Sequence, residues 1–355
     1  MFLPMVQHVT HFSKVRPLHG AITPSQKPNL TKQTWLNGTY QDSMETYLNE
    51  HTGFRPAMVR LNNQLEYHLF DVAKGKEIII GDNNCLYGID YIKAATGEDF
   101  MGASFIEEKV DQIKRSSDFL ASKGTELVIL LAPGKGTFYP EYIPERFPHI
   151  NDSLNIDFYA KELNKQGVKV INAHSWFKEM KDSSEHCLYP LHGIHWSSYG
   201  HALVQDSLEN YFENLFEADL PDYTITGLEQ STHARSTDND MEKGCNLITK
   251  LPPEVLTYPI IAYNSERKVK PKMIAVGDSF FWNLLNDCNV MFDDLHFYYY
   301  FHEDHHVSQS NMELIEESHP LEQHLENADV VMLVITDAQL PRMGWGFFDA
   351  IDELQ

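Results

Sequence analysis

Ser279 and His195 are the two residues whose types and settings point to chemistry. The run Lys272-Met273-Ile274-Ala275-Val276 is apolar in the manner of a buried strand, and it leads straight into Gly277-Asp278-Ser279. A serine just beyond a strand's carboxyl end lies where open α/β sheets keep their ligand crevices. Gly193-Ile194-His195-Trp196 supplies an imidazole, which titrates near neutrality and suits a proton shuttle. A hydroxyl is a weak nucleophile until a base takes its proton, so the pair predicts acyl chemistry through a serine ester. Backbone N–H groups at 279 and 280, opening a short helix predicted from near Phe280, are the expected oxyanion donors. Each residue also has a plainer reading. Ser279 fits a helix N-cap, and His195, one of 18 histidines with His192 and His201 close by, fits a buried ring bonded to a carbonyl.

These residues need a frame, and the hydrophobic pattern supplies one. Strands are predicted at 77–80, 126–131, 168–171, 272–276, 294–300 and 329–335, and helices at 104–123, 155–166 and 197–216. Strands alternating with helices argue for an α/β fold with a mostly parallel sheet covered on both faces. Residues 41–72 repeat apolar residues at three- and four-residue spacing, and Thr52-Gly53-Phe54-Arg55-Pro56 divides them into two helices. Residues 1–40 lack periodicity and read as an extended arm. The predicted organisation is an N-terminal arm and helical segment over 1–75, packed on a main domain over 76–355. A polar, proline-containing excursion near 219–268 is placed to line a substrate groove.

Composition narrows the function classes. The 355-residue chain is 42% hydrophobic and 22% charged, as a soluble globular protein is. Its formal charge of -23, from 28 basic and 51 acidic residues, repels phosphate backbones and argues against nucleic acid as a partner. Cys85, Cys187, Cys245 and Cys288 lack zinc spacing, and they allow one or two disulfides in an exported chain. The cluster His302-Glu303-Asp304-His305-His306 has competent ligand types but not the H-E-x-x-H spacing. No native metal and no cofactor are expected. The apolar start, Met1 to Val6, is too short for a signal peptide and fits either the trailing edge of an N-terminal anchor or a frayed terminus.

The serine turn is not the G-x-S-x-G elbow of α/β-hydrolases, because Phe281 stands where the second glycine would be. The chain instead resembles the alginate O-acetyltransferase family, an SGNH-hydrolase-like group that acetylates exported polysaccharides. The resemblance covers most of residues 20–350. It rests on Phe54-Arg55, Leu86-Tyr87-Gly88 with Tyr91, Ala132-Pro133-Gly134-Lys135, Tyr139-Pro140-Glu141, and the two segments around His195 and Ser279. The family draws its acid and base from an Asp-x-His-Trp motif that precedes the Gly-Asp-Ser nucleophile, and this chain keeps that order.

One position departs from the family. Gly193 stands where the family's aspartate would orient the imidazole, a loss that can cost about 10⁴ in rate. Three readings stay open: a substitute carboxylate, with Asp337 first and Glu185 behind it; a carbonyl or His192 orienting His195; or a site that binds without turnover. Lys135, Arg342 and Trp196 are candidates for substrate binding. Asp278 is assigned to the turn's own hydrogen bonds rather than to proton transfer.

The resemblance implies an SGNH-like α/β fold and O-acetyl transfer to a carbohydrate polymer. It also implies an acyl donor delivered by an integral-membrane acyltransferase and an extracytoplasmic location, with membrane anchoring through an N-terminal segment. A carbohydrate acetyl esterase and a non-catalytic polysaccharide-binding or scaffold subunit are the alternatives.

Overall fold

In the computed structural model, described over residues 2–20, 25–75, 77–308, 311–315 and 321–355, the chain divides into two compact units. The first comprises Met1–Ile80 and Asp240–Pro252, and the second comprises Gly81–Asn239 and Pro253–Gln355.

Helices dominate the first unit: Phe2–Thr10, Lys32–Leu36, Thr39–His51, Arg55–Phe70 and Asp240–Cys245. The N-terminal arm is therefore helical at its start rather than extended throughout. Pro56 sits in the first turn of Arg55–Phe70, where its missing N–H is not needed. That helix organises the unit by hydrogen bonds. The Arg60 guanidinium donates to the carbonyls of Arg16 (2.7 Å) and Pro17 (2.6 Å), and Asn63 Nδ2 donates to Cys245 O (2.9 Å).

The second unit is built on a seven-stranded sheet in the order Asn311–Ile315, Glu303–Ser308, Asp293–Tyr299, Lys272–Gly277, Val330–Thr336, Glu126–Ala132, Lys169–Asn172. The last five of these run parallel, and the first two add antiparallel at one edge. Alternate residues of the central strands enter opposite cores. Val128, Leu130 and Ala132 pack with Phe177, Leu208 and Leu284 on one face, and Leu127, Ile129 and Leu131 pack with Val110, Tyr159 and Ile351 on the other. Burial on both faces explains why these strands read as continuous apolar runs.

Residues 219–268 contain a regular element that the sequence pattern does not suggest. Asp222–Ser231 and Leu256–Asn264 form an antiparallel pair, with a bulge between Ile225 and Gly227. All four cysteines are free thiols, so none of the disulfides that the count allows is formed. Among the described residues, no helix is long and apolar enough to cross a membrane.

Candidate active site

Register brings three strand ends together. Thr336 lies opposite Ala132, and Val334 lies opposite Gly277. Three loops therefore leave the carboxyl edge of the sheet side by side: Gly277-Asp278-Ser279, Thr336-Asp337 and Ala132-Pro133-Gly134-Lys135. This is the edge at which open α/β sheets bind ligands.

The serine turn is fastened by its own aspartate. Asp278 Oδ2 accepts from the Thr336 N–H (2.9 Å) and the Thr336 hydroxyl (2.8 Å), and Oδ1 accepts from the Phe280 N–H (3.0 Å). Burial pushes the Asp278 carboxyl above the ordinary range, while these donors and the charge of His195 pull it back. Asp278 thus serves the turn, as the sequence predicts. One consequence corrects the expected oxyanion hole: the Phe280 N–H is already bonded to Asp278. Among the described hydrogen bonds, the Ser279 N–H has no acceptor and stays available.

Ser279 is half-buried at the head of the helix Phe281–Met291, and its Oγ lies 2.9 Å from His195 Nε2. The structure thus joins two side chains that are 84 residues apart in sequence. The distance is that of a nucleophile and its base. The Phe280 ring packs on both His195 (centroids 4.9 Å) and Trp196 (5.2 Å), which keeps the imidazole against an apolar wall.

The loop that carries His195 is closed on itself and clasped from three sides. Ser197 Oγ donates to Cys187 O (2.6 Å) and accepts from the Gly200 N–H (2.9 Å), capping the helix Ser198–Phe216. Lys135 Nζ donates to Leu191 O (2.7 Å) and Gly193 O (2.5 Å). Glu254 accepts the Leu191 N–H at 3.1 and 3.0 Å. Asp238 accepts from the Ser198 N–H (3.1 Å) and hydroxyl (3.0 Å). Asp238 and Glu254 flank the first unit's segment within the 219–268 region, and no motif in the sequence marks them.

Gly193 itself sits in a tight space. A Cβ at position 193 would lie 2.7 Å from Thr237 O and 2.9 Å from Asp238 O, both backbone atoms. The backbone at 237–238 fills the space that any larger side chain at 193 would need.

The remaining predicted residues take varied places. Asp337 is buried, but its carboxylate accepts from Thr137 Oγ1 (2.6 Å) and the Ala338 N–H (2.7 Å); His195 is not among its described partners. Burial raises its carboxyl to about 7. The backbone at Gly134 needs glycine there, since a Cβ would overlap the Asp337 carboxylate. Glu185 is exposed. Lys135 is 0% exposed, so in this structure it holds the histidine loop and presents no surface to a ligand. Trp196, also 0% exposed, belongs to the core beside Phe177 and Phe280. Arg342 is exposed, at the end of the short helix that follows Thr336.

Two tyrosines that the sequence does not single out as chemical groups stand at the crevice. Tyr91 meets Thr336 through its hydroxyl, and the Tyr300 side chain interacts with Ser279. Burial raises both phenols, which keeps them protonated and able to donate.

Comparison with known proteins agrees with this architecture. The family model described as the SGNH hydrolase-like domain of acetyltransferase AlgX matches residues 79–255. A curated relative, "Probable alginate O-acetylase AlgJ" of Pseudomonas fluorescens, is 27% identical over 129 residues, 36% of this chain. That match spans about a third of the relative's length (32%). Among solved structures, the O-acetyltransferase domain of Pseudomonas putida AlgJ superposes with a TM-score of 0.51 at 15% identity, covering 79% of this chain and 100% of that one. In sequence over residues 79–255, and in fold, the chain is similar to the alginate O-acetyltransferase-like family of SGNH-hydrolase-like domains.

Proposed function

We propose that this protein transfers an acetyl group to a hydroxyl of a carbohydrate polymer by way of an acetyl ester on Ser279. The observation that carries this reading is the 2.9 Å approach of His195 Nε2 to Ser279 Oγ at the carboxyl edge of the sheet. His195 Nε2 takes the Ser279 proton as Oγ attacks the acetyl carbonyl. The negative charge that develops on the carbonyl oxygen meets the Ser279 N–H, and Tyr300 is placed to supply a second donor. Collapse of the intermediate breaks the bond to the donor's leaving group, which takes the proton from the imidazolium. In the second half, His195 removes a proton from the sugar hydroxyl. The sugar oxygen attacks the acetyl-serine, and the proton returns to Ser279.

The positioning that the family assigns to an aspartate at 193 is taken over here by the clasp on the loop: Lys135, Glu254 and Asp238. Similarity to that family supports an exported or cell-surface polysaccharide as acceptor, a donor delivered by an integral-membrane acyltransferase, and an extracytoplasmic location.

The test is intact-protein mass after incubation with p-nitrophenyl acetate, wild type beside Ser279→Ala. A single 42-dalton-class acetyl adduct (roughly the mass of an acetyl group replacing a proton) in the wild type alone supports acyl-enzyme chemistry. With an acetylated glycan, steady release of free acetate assigns an esterase instead. Glycan binding that is unchanged in Ser279→Ala, with no adduct in either protein, assigns a non-catalytic binding subunit.

A further inference from the structure

A second cluster of chemically competent side chains lies beside the amino half of the serine's strand, where His296 is opposite Ile274. Side chains of a strand alternate between faces. On Asp293–Tyr299 this sets Asp294, His296 and Tyr298 on one face. The antiparallel partner Glu303–Ser308 adds Asp304 opposite Tyr298 and His306 opposite His296. The helix Leu321–Leu325 contributes His324. Three imidazoles therefore stack, with His296 in the middle: ring centroids are 3.9 Å from His324 and 4.7 Å from His306.

Carboxylates face both nitrogens of the central ring. His296 Nδ1 is 3.5 Å from Asp304 Oδ1, and Nε2 is 3.6 Å from Asp294 Oδ1. His324 Nδ1 is 3.9 Å from Asp304 Oδ2, and His306 Nε2 is 3.1 Å from Asp294 Oδ1. Ligand atoms bonded at about 2.0–2.2 Å around a tetrahedral ion stand roughly 3.3–3.6 Å from one another, and the 3.5 and 3.9 Å separations within His296, Asp304 and His324 are close to that spacing. Within His296–Asp304–His324, the ligand atoms all lie within 4.8 Å of one another.

Two further observations point to a ligand. His296 Nδ1 is buried and makes no hydrogen bond in this structure. A cavity of about 60 Å³ opens onto Asp294, His296, Gln323 and His324, with room for water to complete a coordination shell.

We propose that His296, Asp304 and His324 bind one divalent transition-metal ion, zinc by the character of the donor set. Asp294 and His306 lie at its outer side, and water occupies the remaining position. Two imidazoles and a carboxylate suit zinc better than magnesium or calcium, which favour all-oxygen shells. The run His302–His306 concealed this, because only Asp304 of that run joins the trio. The other two ligands come from different elements.

The experiment uses the full, untagged chain, stripped with chelator and titrated with ZnCl₂ by calorimetry, with CoCl₂ as a spectroscopic probe. The expected result is one zinc per chain, visible d–d absorption from bound cobalt, and a zinc-dependent rise in melting temperature. Affinity should fall at least about 100-fold in His296→Ala and Asp304→Asn, while the exposed His302→Ala keeps it. His296→Gln, closer in shape, guards against a variant that fails to fold; it should melt near the metal-free wild type and bind no zinc. Absence of stoichiometric binding, or binding retained in His296→Gln and Asp304→Asn, overturns the proposal. Acetyl-adduct formation on Ser279 should be the same with and without metal, which separates this site from the catalytic reading.

Discussion

The Lys135 ammonium donates to the carbonyl of Gly193, two residues before His195, and to that of Leu191 on the same loop. A lysine from the turn after one strand thus holds the backbone that delivers the imidazole to a serine after another. A buried cation needs partners, and here the loop supplies two of them. Replacing Lys135 with methionine should leave two carbonyls without their donor and cost roughly 1–3 kcal/mol of stability. Urea denaturation gives the loss directly. We expect kcat to fall with it, and unchanged kinetics in Lys135→Met would remove the lysine from the positioning of His195.

Ser279→Ala should form no acetyl adduct. His195→Ala should lower turnover by about 10³-fold or more, since residual catalysis would come only from binding and the oxyanion donor. Stopped-flow release of p-nitrophenol measures both. Full activity in either single variant would exclude the mechanism.

An aspartate placed at 193 should not be tolerated. Gly193→Asp places a Cβ under 3 Å from the carbonyl oxygens of Thr237 and Asp238. Crowding of this kind costs about 1–3 kcal/mol. The variant should melt lower and turn over more slowly than the wild type. A faster enzyme with an unchanged melting temperature would show that an aspartate can be seated there after all.

Tyr300→Phe tests the second oxyanion donor. Loss of a hydrogen bond made to charge that develops only in the transition state should lower kcat by about 10²-fold with little change in KM. An equal rise in KM with kcat preserved would make Tyr300 a binding residue instead.

Stability should depend on pH through two buried acids, Asp337 and Asp287, and one half-buried acid, Asp99. Burial raises Asp337 to about 7, and Asp99 and Asp287 to about 6. Each folded form keeps its proton to a higher pH than the unfolded chain does, so between about pH 4 and 7 the unfolded state binds fewer protons and stability falls as pH rises. The contribution is fully present below the unfolded value and lost through the folded one. Asp287→Asn, at the Tyr263 hydroxyl, should flatten the lower part of that slope, and Asp337→Asn the upper part. Chemical denaturation at half-unit pH steps checks the sign; a slope that rises over this window would contradict the burial argument.

Much of the frame is legible because burial on both faces leaves a simple mark. The strands around 126–132, 272–277 and 330–336 are apolar without interruption, and the turns after them carry Lys135, Ser279 and Asp337. Polar elements were not legible. Glu303–Ser308 reads as a cluster of ligands rather than as an edge strand, and Asp222–Ser231 and Leu256–Asn264 hide behind Thr, Glu and Pro259. Phe2–Thr10 carries Pro4 in its first turn and is too short to show a period. In the site, Ser279 and His195 are visible from residue type and position. Asp238 and Glu254 are not, because what they do depends on a backbone approach to Gly193 that no local pattern encodes.

The place of Val330–Thr336 in the sheet bears on when the protein can act. It is the last strand among the described residues, yet it lies between Lys272–Gly277 and Glu126–Ala132, and its Thr336 anchors Asp278. A chain still emerging from the ribosome already contains Ser279 and His195, but not the strand that fastens the Ser279 turn. The turn that carries Ser279 is therefore not fastened until residues 330–336 have been made, and a chain ending at residue 329 should take up no acetyl group.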